Sequence, residues 1–277
     1  MASLQALKKH LNSIRMTGQL AGAMKTVSAA KLSRVNKTLQ DFSVYSDICR
    51  GISERFGAAL GEVFPCKNPE APVCYVVLGA NRGLCGGYNI ELYSYIDSVL
   101  ADAPSSRMLL VTGKHAAGHF QDAGIPMDKT YILPDAVRHE DCEALLSDVL
   151  TLYREGRVSA VEILYQQFIN MLTQRPARRR LLPLDGADTR TDTPEPLYVP
   201  DRQTVLHSAA AACVNADFYT CILESCAGHQ AATLIAMRSA FDNAEKSAAS
   251  LESAISRRRQ SDVTSSVIET SGGNTES

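Results

Sequence analysis

Residues 4–42 read LQALKKHLNSIRMTGQLAGAMKTVSAAKLSRVNKTLQDF. Apolar or small residues recur at steps of three and four: Leu4, Leu7, Leu11, Ile14, Gly18 and Ala21. A neighbouring stripe continues through Met24, Val27, Leu32, Val35, Leu39 and Phe42. This is the period of an α-helix with one apolar face. Ser3 stands where an N-cap belongs, and no proline occurs before Pro65. About fifty helical residues would span roughly 75 Å, too long for an ordinary globular helix.

The other end repeats the pattern. Leu234, Met237, Phe241, Ala244, Ala248, Leu251 and Ile255 step by three and four, and no proline follows Pro200. Small residues on both stripes let two backbones approach closely, yet bury little area. The seam therefore gains less than a leucine-rich one and leans on an enclosing partner. Beyond it, Arg257, Arg258 and Arg259 suit a helix C-terminus, and the polar tail from Ser261 to Ser277 is a poor water-exposed helix, expected to fray unless held.

Between the ends, Val73–Gly79 (VCYVVLG) and Met108–Thr112 (MLLVT) read as buried strands, with Tyr88–Leu100 as a helix between them. That makes a parallel strand–helix–strand unit. Tyr131-Ile132-Leu133 reads as a short third strand, and Glu140–Tyr153 as a helix. Val158–Phe168 reads as a long strand against which Met171–Leu182 can pair back. Asp185–Pro200, rich in Pro, Asp and Thr, reads as a linker, and the last helix starts near Thr204. The fold class is α/β: a long antiparallel coiled coil of N- and C-terminal helices with an inserted Rossmann-like α/β domain. The expected segments are 1–58, 70–200 and 204–270.

The chain has 277 residues, 45% of them apolar and 21% charged, with net charge -2. This composition supports a folded core and gives no general pull toward nucleic acid. Residues 1–56 are locally basic, with nine Lys or Arg against Asp41, Asp47 and Glu54. That surface is either a solvated helix face or a contact for an acidic partner. The eight cysteines form no CxxC pair and sit in apolar contexts, as in a reduced compartment. No stretch reaches the ~20 apolar residues of a membrane span, and the N-terminus has no apolar signal core.

The densest glycine cluster is Gly79-Ala80-Asn81-Arg82-Gly83-Leu84-Cys85-Gly86-Gly87-Tyr88-Asn89. It lies between strand and helix, where phosphate loops occur. It lacks the Gly-Lys-Ser/Thr and GxGxxG patterns, so it reads as a turn that lets backbones approach. Cys85 has no histidine base at motif spacing. His115 and His119, one helical turn apart, could face a ligand together, but spacing supplies no third metal ligand. Arg175, Arg178, Arg179 and Arg180 read as a solvated turn. No catalytic set, metal site or cofactor site is expected.

These residues carry a resemblance over nearly the whole length. The run Ala23-Met24-Lys25 with Val27-Ser28-Ala29-Ala30-Lys31-Leu32 resembles the AMKMVAAAKL-type run of the gamma subunits of F-type ATP synthases. Gly83-Leu84-Cys85-Gly86 with Asn89 matches that family's signature, and Met237, Ala240, Asn243-Ala244, Arg259-Gln260 and Thr264 follow in order. The resemblance implies a bacterial rotor shaft, not itself an enzyme. The paired helices would turn inside an alpha3beta3 hexamer, and ion flow would drive the catalytic beta subunits through their states. The inserted domain would rest, with the epsilon subunit, on the c-subunit ring. Localisation would be peripheral, on the cytoplasmic face of the plasma membrane. The resemblance also implies subunit contacts at Met24, Lys25, Arg259, Gln260 and Thr264. After Thr264 the chain departs: Ser265 and Ser266 replace an acidic residue and an apolar tail, and Arg258 replaces a commonly small residue. Weaker tip contacts with retained torque are the expectation. The alternative is a diverged paralogue that no longer rotates and acts as an interaction protein. No insertion carries a regulatory cysteine pair of the plant chloroplast type.

Overall fold

The computed structural model describes residues 3–103, 106–184 and 197–272, with side chains to residue 268. The expected linker at 185–200 falls largely outside the described residues, as does the end of the polar tail. Helix α1 spans Leu4–Gly61 and helix α5 spans Arg202–Gly272. Between them run β1 (Val73–Leu78), α2 (Tyr88–Asp102), β2 (Arg107–Thr112), α3 (Lys114–Asp122), β3 (Lys129–Tyr131), α4 (His139–Arg154), β4 (Ala160–Asn170) and β5 (Thr173–Leu182). The two terminal helices pack as an antiparallel coiled coil.

Local chemistry sets the helix starts. The Ser3 hydroxyl accepts a hydrogen bond from the Ala6 N–H at 3.2 Å. The Asp201 carboxylate accepts one from the Thr204 N–H at 2.9 Å, so α5 begins at Arg202. At the other end α5 stays helical to Gly272, past the point where fraying was expected. Its hydroxyls turn back onto the helix rather than out to water: Thr264 Oγ1 donates to the Gln260 carbonyl at 2.9 Å.

The chain divides into two compact units, Met1–Ser28 with Leu234–Ser277, and Ala29–Thr233. In the second, the sheet order is β3-β2-β1-β4-β5. The first four strands are mutually parallel, and β5 pairs antiparallel with β4. Alternation along the strands divides the core in two. Cys74, Val76 and Leu78 face a cluster with α4, α5 and part of α1, whereas Tyr75 and Val77 face α2 and α3. Each fully buried Leu, Ile or Val there contributes about 1.5–3 kcal/mol.

Two strand readings need correction. β3 lies at Lys129–Tyr131, two residues before the expected Tyr131-Ile132-Leu133. It is a sheet edge with exposed Lys129 and Thr130, so no apolar run marks it. The arginine cluster is not a turn; all four residues lie in β5. Arg178 Nε meets the buried Glu162 at 2.5 Å, and Arg179 meets Asp217 at 2.7 Å. Pro176 is tolerated because β5 is an edge strand.

Candidate functional site

Two surfaces carry the expected site residues, one in each unit. In the first unit, α1 and α5 meet over small residues. A Cβ added at Gly18 would lie 3.1 Å from the Ala244 Cβ, and one at Gly22 would lie 3.1 Å from the Phe241 ring. The glycines therefore set the interhelical approach. Ala21 and Met237 are buried beside them. Lys25 Nζ sits 4.5 Å above the Phe241 ring, a cation–π contact, and Arg15 bridges to Glu252 at 2.6 Å. Met24 is half-buried on α1.

The same helix pair leaves much apolar surface uncovered. Met16 and Leu20 are each 62% exposed, and Val27, Val263, Val267 and Ile268 are exposed as well. Arg259, Gln260 and Thr264 are exposed on α5. Arg259 shares a shallow groove with Leu4, Asp262, Val263, Ser266 and Val267. Arg258 is turned toward Asp262 at 3.1 Å.

In the second unit, the glycine-rich segment joins β1 to α2. Its close approach begins at Gly79, whose N–H donates to the Thr112 carbonyl at 3.2 Å. A Cβ there would fall 2.3 Å from the Ala116 Cβ. Leu84 and Gly86 both take positive φ, 62° and 60°. The resulting turn buries Cys85 and leaves Leu84 exposed, with Gly83 beside the His115 ring. Burial raises the Cys85 thiol pKa, so it is no activated nucleophile. Asn89 Nδ2 donates back to the Arg82 carbonyl at 3.4 Å, closing the loop on itself, and Asn81 Nδ2 donates to the Leu133 carbonyl at 2.6 Å, tying it to the segment after β3.

The loop then grips α5. The Tyr88 hydroxyl donates to the Ser225 carbonyl at 2.9 Å, and Gln166 Nε2 donates to the Tyr88 carbonyl at 3.1 Å. A Cβ at Gly228 would lie 3.2 Å from the Tyr88 ring, so that glycine is the notch into which the ring fits. His229 adds an edge contact to Tyr88 at 5.6 Å and reaches the Arg82 carbonyl at 3.3 Å. On α1, Lys31 pairs with Asp135 at 2.5 Å, and Arg82 lies 4.0 Å from the same carboxylate. The hydrogen bond from Lys31 holds Asp135 below the usual carboxylate range. The crevice at the carboxyl ends of β1 and β2, where doubly wound folds bind nucleotides, is lined by Ile222, Ser225 and His229 of α5. Only about 50 Å³ remains there, far less than a ligand pocket of roughly 300 Å³ or more.

The histidine pair does not form an open site. His115 Nδ1 and the Tyr93 hydroxyl lie 3.0 Å apart, and His119 stacks on the Tyr93 ring at 4.4 Å with Asp97 3.6 Å away. Among the described residues no group of three His, Cys, Asp or Glu is placed to hold a metal. No described helix is long and apolar enough to cross a membrane. Ser225, Gly228 and Asp135 were not singled out by sequence reasoning, and Tyr88 was read only within the glycine cluster and as a helix start. Their partners lie up to 137 residues away, and no local period signals them.

Comparison with known proteins fits this architecture. The family profile described as ATP synthase matches residues 3–275. The chain is 31% identical over 280 residues to the ATP synthase gamma chain of Symbiobacterium thermophilum, covering 97% of this chain and 96% of that one. It is 30% identical over 286 residues to the ATP synthase gamma chain of Heliobacterium modesticaldum, covering 99% and 98%. The fold superposes on a chain of the Euglena gracilis mitochondrial ATP synthase rotor with TM-score 0.65 at 12% identity, covering 94% of this chain and 98% of that one. A chain of the Tetrahymena thermophila mitochondrial ATP synthase central stalk and c-ring gives TM-score 0.60 at 19% identity, covering 80% and 99%. A profile match along almost the entire chain, together with full-length relatives of one name, shows that this protein belongs to the ATP synthase gamma chain family.

Proposed function

We infer that this chain is the central rotor shaft of an F-type ATP synthase, a non-catalytic subunit that couples ion-driven rotation to the catalytic head. The single observation that carries this is family membership along residues 3–275. The paired terminal helices with a glycine–alanine seam supply the physical counterpart. A shaft needs continuous helices to bear torque. It also needs a surface without deep knobs to turn within a sleeve.

The assembly partners follow from this reading. The exposed apolar residues of the first unit would face an alpha3beta3 hexamer, with Met24 and Lys25 lower and Arg259, Gln260 and Thr264 near the tip. Arg259 offers a planar donor fork suited to a loop of a catalytic subunit. The polar residues after Thr264 weaken the tip contact without removing the contacts below it. The α/β unit would rest on the c-subunit ring with the epsilon subunit. On this reading the protein would sit peripherally at the cytoplasmic face of a bacterial plasma membrane. Binding energy used on different faces of the shaft would shift the conformational populations of the ring subunits. The Gly83-Leu84-Cys85-Gly86 turn with Asn89 would serve to set Arg82 and Tyr88 in place, and it is these two that meet α5.

Reconstitution tests this reading. The synthase is assembled in vesicles with and without this chain, and ATP-driven ion pumping is measured. Pumping that depends on the chain is the expected result. Assembly without any pumping would instead favour a non-rotating interaction protein of the same fold.

A further inference from the structure

At one edge of the sheet, β3 is only three residues long and pairs with Leu110–Thr112 of β2. Among the described residues no strand pairs with the first half of β2 on that side. Asp128 takes the place of one. Its N–H donates to the Leu109 carbonyl at 2.9 Å, and its carboxylate accepts the Leu109 N–H at 2.7 Å. Met108 and Leu110 face the α4 side, and with Leu152 of α4 they floor a groove along this edge. The groove holds about 320 Å³, within the range of small-ligand sites and unlike the filled crevice at the carboxyl ends of β1 and β2.

The charged rim of this groove is nearly all committed. Lys129 pairs with Asp148, and the Tyr131 hydroxyl donates to the same carboxylate. Asp128 is turned onto the β2 backbone. Arg157, in the turn after α4, is held by its N–H, which donates to the Leu152 carbonyl at 3.0 Å. Its side chain lines the groove, is exposed, and makes no ion pair among the described residues.

We propose that this groove binds a small amphiphilic anion free in solution, with its apolar chain on Met108, Leu110 and Leu152 and its carboxylate on the Arg157 guanidinium. Covering the apolar floor supplies affinity. The planar donor fork of Arg157 matches a carboxylate and fixes the orientation of the chain. The uncommitted group sets the sign of the ligand charge. A cationic ligand would have to displace Lys129 from Asp148 or share Asp128 with the Leu109 N–H. The site lies within the second unit and is independent of whether the chain rotates.

The test uses decanoate, below its micelle concentration, with the full-length chain labelled at its methionine methyl groups. The Met108 signal, assigned with Met108→Leu, is followed by NMR. It should move saturably, while the signal of Met16, an exposed methionine in the first unit, stays in place. Decanol and decyltrimethylammonium should each bind the wild-type chain about tenfold or more weakly than decanoate, the loss of one charge-assisted contact. Arg157→Gln should weaken decanoate binding by a similar factor and leave both decanol binding and the melting temperature unchanged, and Arg157→Lys should fall between. The proposal is overturned if Met108 shows no saturable shift at millimolar decanoate, or if Met16 shifts in parallel. It is equally overturned if the neutral or cationic chain binds as tightly as decanoate, or if Arg157→Gln binds decanoate like the wild type. The three wild-type titrations decide the charge preference without any variant.

Discussion

Substituting Gly79→Ala tests whether the glycine-rich segment exists for backbone approach. The new Cβ would meet the Ala116 Cβ at 2.3 Å and the Thr112 carbonyl oxygen at 2.9 Å. Neither neighbour is the end of a flexible side chain. Ala116 is fully buried in α3, and the Thr112 oxygen accepts the Gly79 N–H. The backbone must therefore retreat. Overpacking of this kind costs about 1–3 kcal/mol. Retreat also stretches the bonds from the Gly79 N–H to the Thr112 carbonyl and hydroxyl, both 3.2 Å, adding about 1 kcal/mol. A loss of roughly 2–4 kcal/mol follows. Urea unfolding followed by circular dichroism, at fixed chain concentration, measures it. Ala116→Gly removes the first clash, at a helix-propensity cost of about 1 kcal/mol. The double variant should thus lose at least about 1 kcal/mol less than the two singles summed. Strict additivity, or a Gly79→Ala loss under about 0.5 kcal/mol, would refute the close-approach account.

Three further outcomes are expected. Gly51→Ala should stabilise the chain by about 0.5–1 kcal/mol in the same unfolding assay, because Gly51 lies inside α1 and an added Cβ meets nothing within 4 Å. Asp135→Asn should remove about 1 kcal/mol at neutral pH and less in acid. The pairing with Lys31 lowers the Asp135 pKa, so its contribution is fully present above the unfolded value, about 4, and fades as pH falls through the lower folded value. Stability curves of the two proteins should converge below about pH 4 in thermal scans. Arg259→Ala with Gln260→Ala should lower ATP synthesis by about tenfold or less, the loss of charge-assisted bonds worth up to ~1.5 kcal/mol, while the melting temperature stays unchanged.

The long helices were legible because period and the lack of proline act locally. Ser3 signalled the start of α1, whereas the α5 start at Arg202 depends on an Asp201 cap that the Thr204 reading passed over. Buried strands β1 and β2 announced themselves by short apolar runs, VCYVVL and MLLVT. The edge strand β3 did not, since its Lys129 and Thr130 face water. The arginines of β5 looked like a solvated turn because their acidic partners, Glu162 and Asp217, lie elsewhere in the sequence. The histidine pair looked available because Tyr93, which stacks on both rings, lies two elements earlier. The glycine-rich turn was readable as a turn, but its grip on Ser225 and Gly228 was not. Such contacts follow from tertiary packing alone.

The central claim is rotation, and single-molecule observation tests it most directly. An alpha3beta3 head is assembled with this chain, a bead is attached to the α/β unit, and ATP is added. The account predicts unidirectional stepwise turning that persists at reduced torque when the chain is truncated after Gln260. A stably assembled head that hydrolyses ATP while the bead shows no directed rotation would contradict it.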